Sequence, residues 1–265
     1  MVAARWPWRV LAVPLLATAL LPAQAGQTCE AKPLSPRTIE RGMALADKVS
    51  RALDGSGARV VVLARAGQDL GAYGLRYSHL GFAYKTPQGP WRVLHKLNQC
   101  GTARAQVDRQ GLGQFFLDDL WLYEAAWVVP TTAVQDALLP LLQDPARLAP
   151  LHTPAYSMVS YAWGQKYQQS NQWALETLAA AMEPATIHSR AQAQAWLQFK
   201  GYTPTTLRLG ALTRLGGRVG SAHIAFDDHP GEKRFADRIE TVTVDSVFAW
   251  LPHAGLGAVP VRLGL

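Results

Sequence analysis

Apolar residues recur at helical spacing in several segments of the chain. Between Thr38 and Leu53 they repeat at the period of one helix face, and the glycine-rich segment Asp54–Gly57 predicts the end of this helix. Similar patterns predict later helices over 132–142, 170–182, 189–199 and 245–251. Thr132 with Gln135 has the spacing of a capping box, and Ser170 and Asp245 are expected to be N-caps.

β-branched and alternating runs predict the strands. They are expected over 59–64, 78–85, 91–97, 122–129, 156–162, 222–226 and 239–244. A turn rich in proline and glycine over 86–90 predicts an antiparallel hairpin between the second and third of these runs. Alternation places His79 and Gly81 on one face of the second run, and His95 lies on one face of the third. The two histidines lie side by side if the register allows it.

The order of these elements is typical of an α+β fold, because a helix precedes a series of antiparallel strands and further helices follow. A chain of 265 residues can form one domain with a sizeable core, or one core with an added lobe. We predict a leader over 1–25, a core domain over 26–182, and a C-terminal α+β extension over 183–265 that packs on the core.

The leader has the pattern of a secretory signal peptide. Arg5 and Arg9 precede an apolar run from Leu11 to Leu21, and Ala23-Gln24-Ala25 forms a small-residue cleavage site. A membrane anchor is the alternative, but the apolar run is shorter than the ~20 residues that a spanning helix needs. We therefore expect a periplasmic protein, cleaved after Ala25, with no membrane span in its mature form.

Composition narrows the classes of partner. Without the leader, 24 basic and 19 acidic residues remain, and the basic ones are scattered, which argues against nucleic acid. The positive balance fits either contact with anionic envelope surfaces or an ordinary basic protein. The seven histidines lack metal-ligand spacing, so no metal and no cofactor is expected. Cys29 and Cys100 are an even pair in an oxidising compartment, which predicts one disulfide.

Three residues are candidates for chemistry. A serine at a helix start beside a histidine has the parts for nucleophilic catalysis, because the histidine can act as base and the helix terminus favours a developing anion. Ser170 and His79 are these residues, and His95 can orient His79, with Asn98 as a competing orienter. Each also has a structural interpretation: His79 as a half-buried core histidine, His95 as an exposed strand residue, and Ser170 as an ordinary N-cap.

The segment Tyr77–Tyr84 resembles the histidine strand of circularly permuted papain-like proteins, a branch of the superfamily of NlpC/P60 cell-wall peptidases. In that branch the nucleophile helix begins with a cysteine, two mostly polar residues and an aromatic residue. Ser170-Asn171-Gln172-Trp173 is similar to this pattern. His95 falls where such folds often have the third polar residue. The mature chain as a whole resembles an exported bacterial family, domain of unknown function 2145.

The resemblance implies a papain-like antiparallel sheet packed on helices, with the histidine strand before the nucleophile helix. It also implies a hydrolase or acyltransferase that attacks amide or ester bonds of cell-envelope peptides, peptidoglycan or lipids. His79 would be the general base, Ser170 the nucleophile and His95 the orienter. The residues expected to line the cleft are Tyr77, Asn98, Trp163, Tyr167 and Asn171.

Ser170 departs from the family pattern, which has cysteine at this position. A hydroxyl is much less acidic than a thiol, so an imidazole suited to a thiolate need not activate it. Two interpretations remain open. The protein is a serine-type enzyme, or it is a catalytically inactive periplasmic binding or assembly protein that uses the same cleft.

Overall fold

The computed structural model describes residues 33–86, 89–118 and 120–265. The predicted leader and Cys29 lie outside this part of the chain. The helices are α1 (Pro36–Gly55), α2 (Leu112–Phe116), α3 (Thr132–Leu142), α4 (Pro145–Leu148), α5 (Ser170–Met182), α6 (Arg190–Phe199), α7 (Ala211–Gly220), α8 (Gly231–Phe235) and α9 (Val244–His253). The strands are β1 (Val60–Ala66), β2 (His79–Lys85), β3 (Trp91–Asn98), β4 (Ala105–Gly111), β5 (Leu122–Val128), β6 (Thr205–Arg208), β7 (Arg238–Thr241) and β8 (Val261–Gly264).

Six of these strands form one antiparallel sheet in the order β4-β3-β2-β1-β5-β8. Strands β6 and β7 form a separate two-stranded antiparallel sheet. This mixture of helices with an antiparallel sheet confirms the predicted α+β class. The hairpin of β2 and β3 is also confirmed, and its register pairs Phe82 with Leu94.

Helices cover both faces of the large sheet, because successive strand residues point to opposite sides. On one face the Phe82 ring lies 6.2 Å from the ring of Trp173 in α5. On the other face Val93 packs with Val49 of α1 and Phe115 of α2 in a second hydrophobic cluster. Both α5 and the α1–α2 pair are therefore held by apolar burial against the same strands.

The helix starts differ from the predictions at each proposed cap. The N-cap of α3 is Thr131, which accepts a hydrogen bond from the Val134 amide, and not Thr132. The cap of α9 is Thr243, which forms a capping box with Ser246. Helix α5 is capped by Gln169, so Ser170 is its first helical residue. In α3 and α9 the N-cap is a threonine one or two residues before the predicted cap. Its hydroxyl accepts a hydrogen bond from a free backbone amide of the first helical turn.

The predicted strands over 156–162 and 222–226 are wrong. Both segments are loops, and a backbone hydrogen bond between them runs from the Met158 amide to the His223 carbonyl at 2.9 Å. The Ser157 hydroxyl accepts from the Ala225 amide at 3.1 Å and donates to the Ala225 carbonyl at 2.9 Å. A side chain therefore takes the place of the strand partner that a ladder would require.

The C-terminal part of the chain joins the rest through both sheet and core. Strand β8 pairs with β5 and completes the large sheet. Val247 and Leu251 of α9 belong to the same hydrophobic cluster as Val62 and Leu80. The division at residue 182 stays a prediction. Within the described ranges, no helix is both long and apolar enough to cross a membrane.

Candidate functional site

Two histidines meet at the start of the β2–β3 hairpin. Nε2 of His79 lies 2.8 Å from Nδ1 of His95, and the ring planes are 75° apart. Gly81 allows this approach because it has no side chain. A Cβ at that position would lie only 2.7 Å from the His95 Cβ and 2.9 Å from the Leu94 carbonyl oxygen, which is too close. The expected side-by-side placement of the two histidines is confirmed.

An arginine and an aromatic ring surround the pair. Arg65 pairs with His79 across β1 and β2, and its guanidinium lies 4.7 Å from the centre of the Phe115 ring. The guanidinium also donates to the Phe115 carbonyl and forms an ion pair with Asp118. The Phe115 ring is 5.2 Å from the ring of His95. The histidines therefore lie in a desolvated site with a cation nearby.

This environment keeps both imidazoles neutral. Burial lowers the pKa of His79 well below its usual value, and the charge of Arg65 acts in the same direction. Burial, followed by Arg65, lowers the pKa of His95 to about 4, while the Gln110 side chain acts in the opposite direction. Near neutral pH each ring has one nitrogen that can accept a proton.

Asn171 joins helix α5 to the strand that carries His79. Its Oδ1 accepts a hydrogen bond from the Leu80 amide at 3.0 Å, and its Nδ2 donates to the Ser78 carbonyl at 3.4 Å. Nδ2 is also 3.4 Å from the Val242 carbonyl oxygen. The first turn of α5 is thus fixed to the backbone on both sides of His79.

Ser170 is buried at the start of this helix, near the hydroxyl of Tyr156. Burial raises the pKa of Tyr156, and the contact with Ser170 reduces that effect. The cap residue Gln169 uses its side chain elsewhere, donating to Thr241 Oγ1 at 2.8 Å. Ser170 and His79 are both described, and no hydrogen bond joins them. The sequence-predicted dyad therefore consists of two residues that are not hydrogen-bonded to each other.

Both residues line one cavity of about 490 Å³. Its polar lining also includes Arg65, Tyr156 and Asn171. The apolar lining includes one hydrophobic cluster, formed by Val159, Leu207, Leu209, Ile224 and Phe226. The cavity can therefore receive a molecule with one polar and one apolar part.

A family model described as an uncharacterized protein conserved in bacteria, DUF2145, matches residues 52–251. The chain belongs to the DUF2145 family. No curated protein and no solved structure matched the chain. The DUF2145 match begins inside α1 and ends inside α9, so it contains every candidate residue of the site.

The residues expected to line the cleft of this DUF2145 chain divide into two groups. Tyr77, Asn98 and Asn171 line the cavity. Trp163 and Tyr167 are not part of its lining: the Trp163 ring packs 6.0 Å from the Tyr202 ring, and the Tyr167 carbonyl accepts from Arg190 at 3.1 Å. These interactions hold the segment before α5 against α6 and the loop that follows α6.

Asn98 does not orient His79. Its Nδ2 donates to the Thr102 carbonyl at 2.8 Å and to the Arg104 carbonyl at 2.9 Å, within the turn between β3 and β4. His95 is the residue that contacts His79. Of the two alternatives for the third polar residue, the structure brings only His95 to the base.

The sequence interpretation missed four residues of the site: Arg65, Gln110, Phe115 and Tyr156. Arg65 carries a usable signal, since a charged residue inside the apolar run Val60–Ala66 needs a buried partner. Gln110 gave no signal because β4 is largely polar. Across the described ranges, no group of three or more His, Cys, Asp or Glu residues is placed to hold a metal ion.

Proposed function

We propose that this protein is a hydrolase or acyltransferase with Ser170 as nucleophile and His79 as general base. The observation that supports this most directly is the position of Asn171, whose side chain bonds the backbone on both sides of His79. Because Ser170 immediately precedes Asn171, this clamp holds the start of α5 against the His79 strand, and both Ser170 and His79 line one cavity. A nucleophile beside a base that is itself oriented by a third group is the arrangement that acyl transfer requires.

The hydrogen bonds of the histidine pair favour one protonation pattern. Nε2 of His95 and Oε1 of Gln110 are both buried without a hydrogen-bond partner among the described residues, and Gln110 raises the pKa of His95; a proton on Nε2 of His95 would give these two atoms each other as partners. Nδ1 of His95 then accepts from Nε2 of His79. His79 is left with an unprotonated Nδ1, which is the nitrogen able to take a proton from Ser170. His95 would thus fix the tautomer of the base.

The proposed reaction uses only groups of this site. Ser170 Oγ attacks the acyl carbon and loses its proton to His79 Nδ1, which then passes that proton to the departing alcohol or amine. The acyl group stays on Ser170 until water or a second alcohol or amine removes it by the reverse sequence. The first amides of α5 and the Tyr156 hydroxyl are donors near Ser170 that can stabilise the oxyanion.

The finer assignment is also part of this proposal. We infer a circularly permuted papain-like core, since β2 with His79 precedes α5 with Ser170 in the chain. The proposed substrates are amide or ester bonds of envelope peptides, peptidoglycan or lipids. The proposed location is the periplasm, after removal of the leader.

A binding protein is the second candidate, and three observations favour it. The lowered pKa of His79 makes it a weak base, and no hydrogen bond joins His79 to the hydroxyl of Ser170. The cavity volume of about 490 Å³ lies within the range typical of ligand sites. In this case the cavity would hold an envelope molecule without converting it.

A serine-reactive fluorophosphonate probe separates the two candidates. We expect covalent labelling of the wild-type protein and loss of labelling in Ser170→Ala and His79→Asn. Labelling should be unchanged in Ser56→Ala, which removes an exposed serine just after α1. Mass spectrometry identifies the labelled peptide. Folded wild-type protein that stays unlabelled between pH 5 and pH 9 would contradict the enzyme. Native mass spectrometry would then show a bound molecule that a bulky Val159→Trp variant loses.

A further inference from the structure

Helix α7 exposes an apolar stripe to solvent. All ten of its residues are described, and none of them is buried. Leu212, Leu215 and Val219 are 85%, 60% and 53% exposed. With 3.6 residues per turn, these three side chains fall within an arc of about 60°. A stripe of this kind on a helix without a buried face indicates a surface that meets a partner.

Exposed basic residues lie on this helix and just before it. Arg218 is exposed one step around the helix from Leu215, and Arg208 is exposed on β6 just before the helix. Helix α7 contains no acidic residue, and the chain as a whole carries a net charge of +7. Arg214 is engaged with Asp237, which fastens the helix to the segment after α8. The surface therefore combines exposed apolar side chains with uncompensated positive charge.

The opposite side of α7 forms part of the cavity wall. Thr213 and Gly217 line the cavity, and a Cβ at Gly217 would lie 3.4 Å from the Ile224 side chain. Three glycines in the helix, Gly216, Gly217 and Gly220, each cost about 1 kcal/mol relative to alanine. A helix that is this weak on its own gains most from a surface that covers its apolar side.

We propose that α7 docks this protein on an anionic lipid surface. Leu212, Leu215 and Val219 enter the boundary between headgroups and acyl chains, and Arg208 and Arg218 meet the anionic headgroups. Charge favours this occupant over a second copy of the chain, because two copies of this face would carry charge of the same sign, whereas an anionic surface is complementary to it. The docking does not depend on the proposed catalysis. It would place one wall of the cavity at the lipid boundary.

Vesicle sedimentation tests this docking. The purified protein is mixed with vesicles of phosphatidylcholine containing phosphatidylglycerol, or of phosphatidylcholine alone. We expect binding to the anionic vesicles that weakens as salt increases. Leu212→Glu with Leu215→Glu should reduce the apparent affinity at least about tenfold, and Arg218→Ala about fivefold. The matched control is Phe199→Glu, which adds a charge at an apolar side chain of α6 that is 83% exposed. It should bind like the wild type.

Several outcomes would overturn the proposal. The first is that the wild-type protein does not bind anionic vesicles. The second is that the α7 variant and the Phe199 control lose binding equally. The third is that the protein forms a concentration-dependent dimer that only the α7 variant abolishes. Circular dichroism and thermal unfolding of each variant check that it is folded, which is expected because the substituted side chains are exposed. Probe labelling at Ser170, measured without vesicles, shows whether docking and the proposed chemistry fail separately.

Discussion

Acid should destabilise this protein through His95. The side chain is fully buried, and burial followed by the charge of Arg65 lowers its pKa to about 4. In the unfolded chain a histidine has a pKa of about 6.5. The unfolded state therefore binds a proton over a pH range in which the native state does not. The free energy of unfolding should be highest above pH 6.5 and fall as the pH decreases from about 6.5 to about 4.

The size of the effect follows from the two pKa values. Between pH 7.5 and pH 5.0, a shift from about 6.5 to about 4 removes about 2 kcal/mol from the free energy of unfolding. His79 has its pKa lowered for the same reasons and adds to this loss. Removing the titrating group at position 95 should therefore flatten the pH dependence by about 2 kcal/mol.

Urea unfolding followed by tryptophan fluorescence measures this at pH 7.5 and pH 5.0. We compare the wild type with His95→Gln, which keeps a polar side chain beside His79, and with His188→Gln, which removes an exposed histidine. The wild type and the His188 variant should lose stability equally, and the His95 variant should lose about 2 kcal/mol less. The explanation is refuted if His95→Gln leaves the pH dependence unchanged, or if the wild type becomes more stable at pH 5.0.

Three further substitutions test the packing of the site. Gly81→Ala should reduce the free energy of unfolding by about 1–3 kcal/mol in a urea titration, because the new Cβ would collide with β3. The control is Gly55→Ala, where a new Cβ would meet no atom of the described residues within 4 Å, and it should be neutral or slightly stabilising. Asn171→Ala leaves a buried β2 amide without its acceptor and should cost about 1–3 kcal/mol by thermal unfolding. Arg190 of α6 forms a buried ion pair with Glu176 of α5 at 2.8 Å. Arg190→Ala removes the partner of this buried carboxylate and should cost about 3–5 kcal/mol in calorimetry. A loss below about 1 kcal/mol would contradict a stabilising ion pair at this position.

The large sheet could be predicted where its strands carry a strong local pattern. Strands β1, β2, β3 and β5 are apolar or alternating, and a turn rich in proline and glycine joins β2 to β3. Strand β4 could not, because it is an edge strand whose residues are mostly polar. The segment over 156–162 shows the opposite error, since the Ser157 side chain replaces the backbone partner of an apolar run.

The site was predictable only where local structure determines it. Alternation along β2 and β3 is enough to bring His79 and His95 together once the hairpin is known. The placement of Ser170 beside β2 depends on Asn171 and on packing between segments 91 residues apart, which no local pattern reveals. Tyr156 was assigned to a strand, so its contact with Ser170 was missed. The Cys29–Cys100 disulfide stays a prediction, because Cys29 is outside the described residues.

The nearness of Ser170 to His79 can be measured without a substrate. In a Ser170→Cys variant, the rate of iodoacetamide alkylation at position 170, followed by peptide mass spectrometry from pH 5 to pH 10, reports the pKa of the new thiol. We predict a pKa below the usual value of about 8.5, because His79 Nδ1 takes the thiol proton to form an ion pair with the thiolate and the start of α5 favours the negative charge, and a return toward that value when His79→Asn is added. A thiol pKa of about 8.5 or higher that does not respond to the loss of His79 would contradict the proposed site.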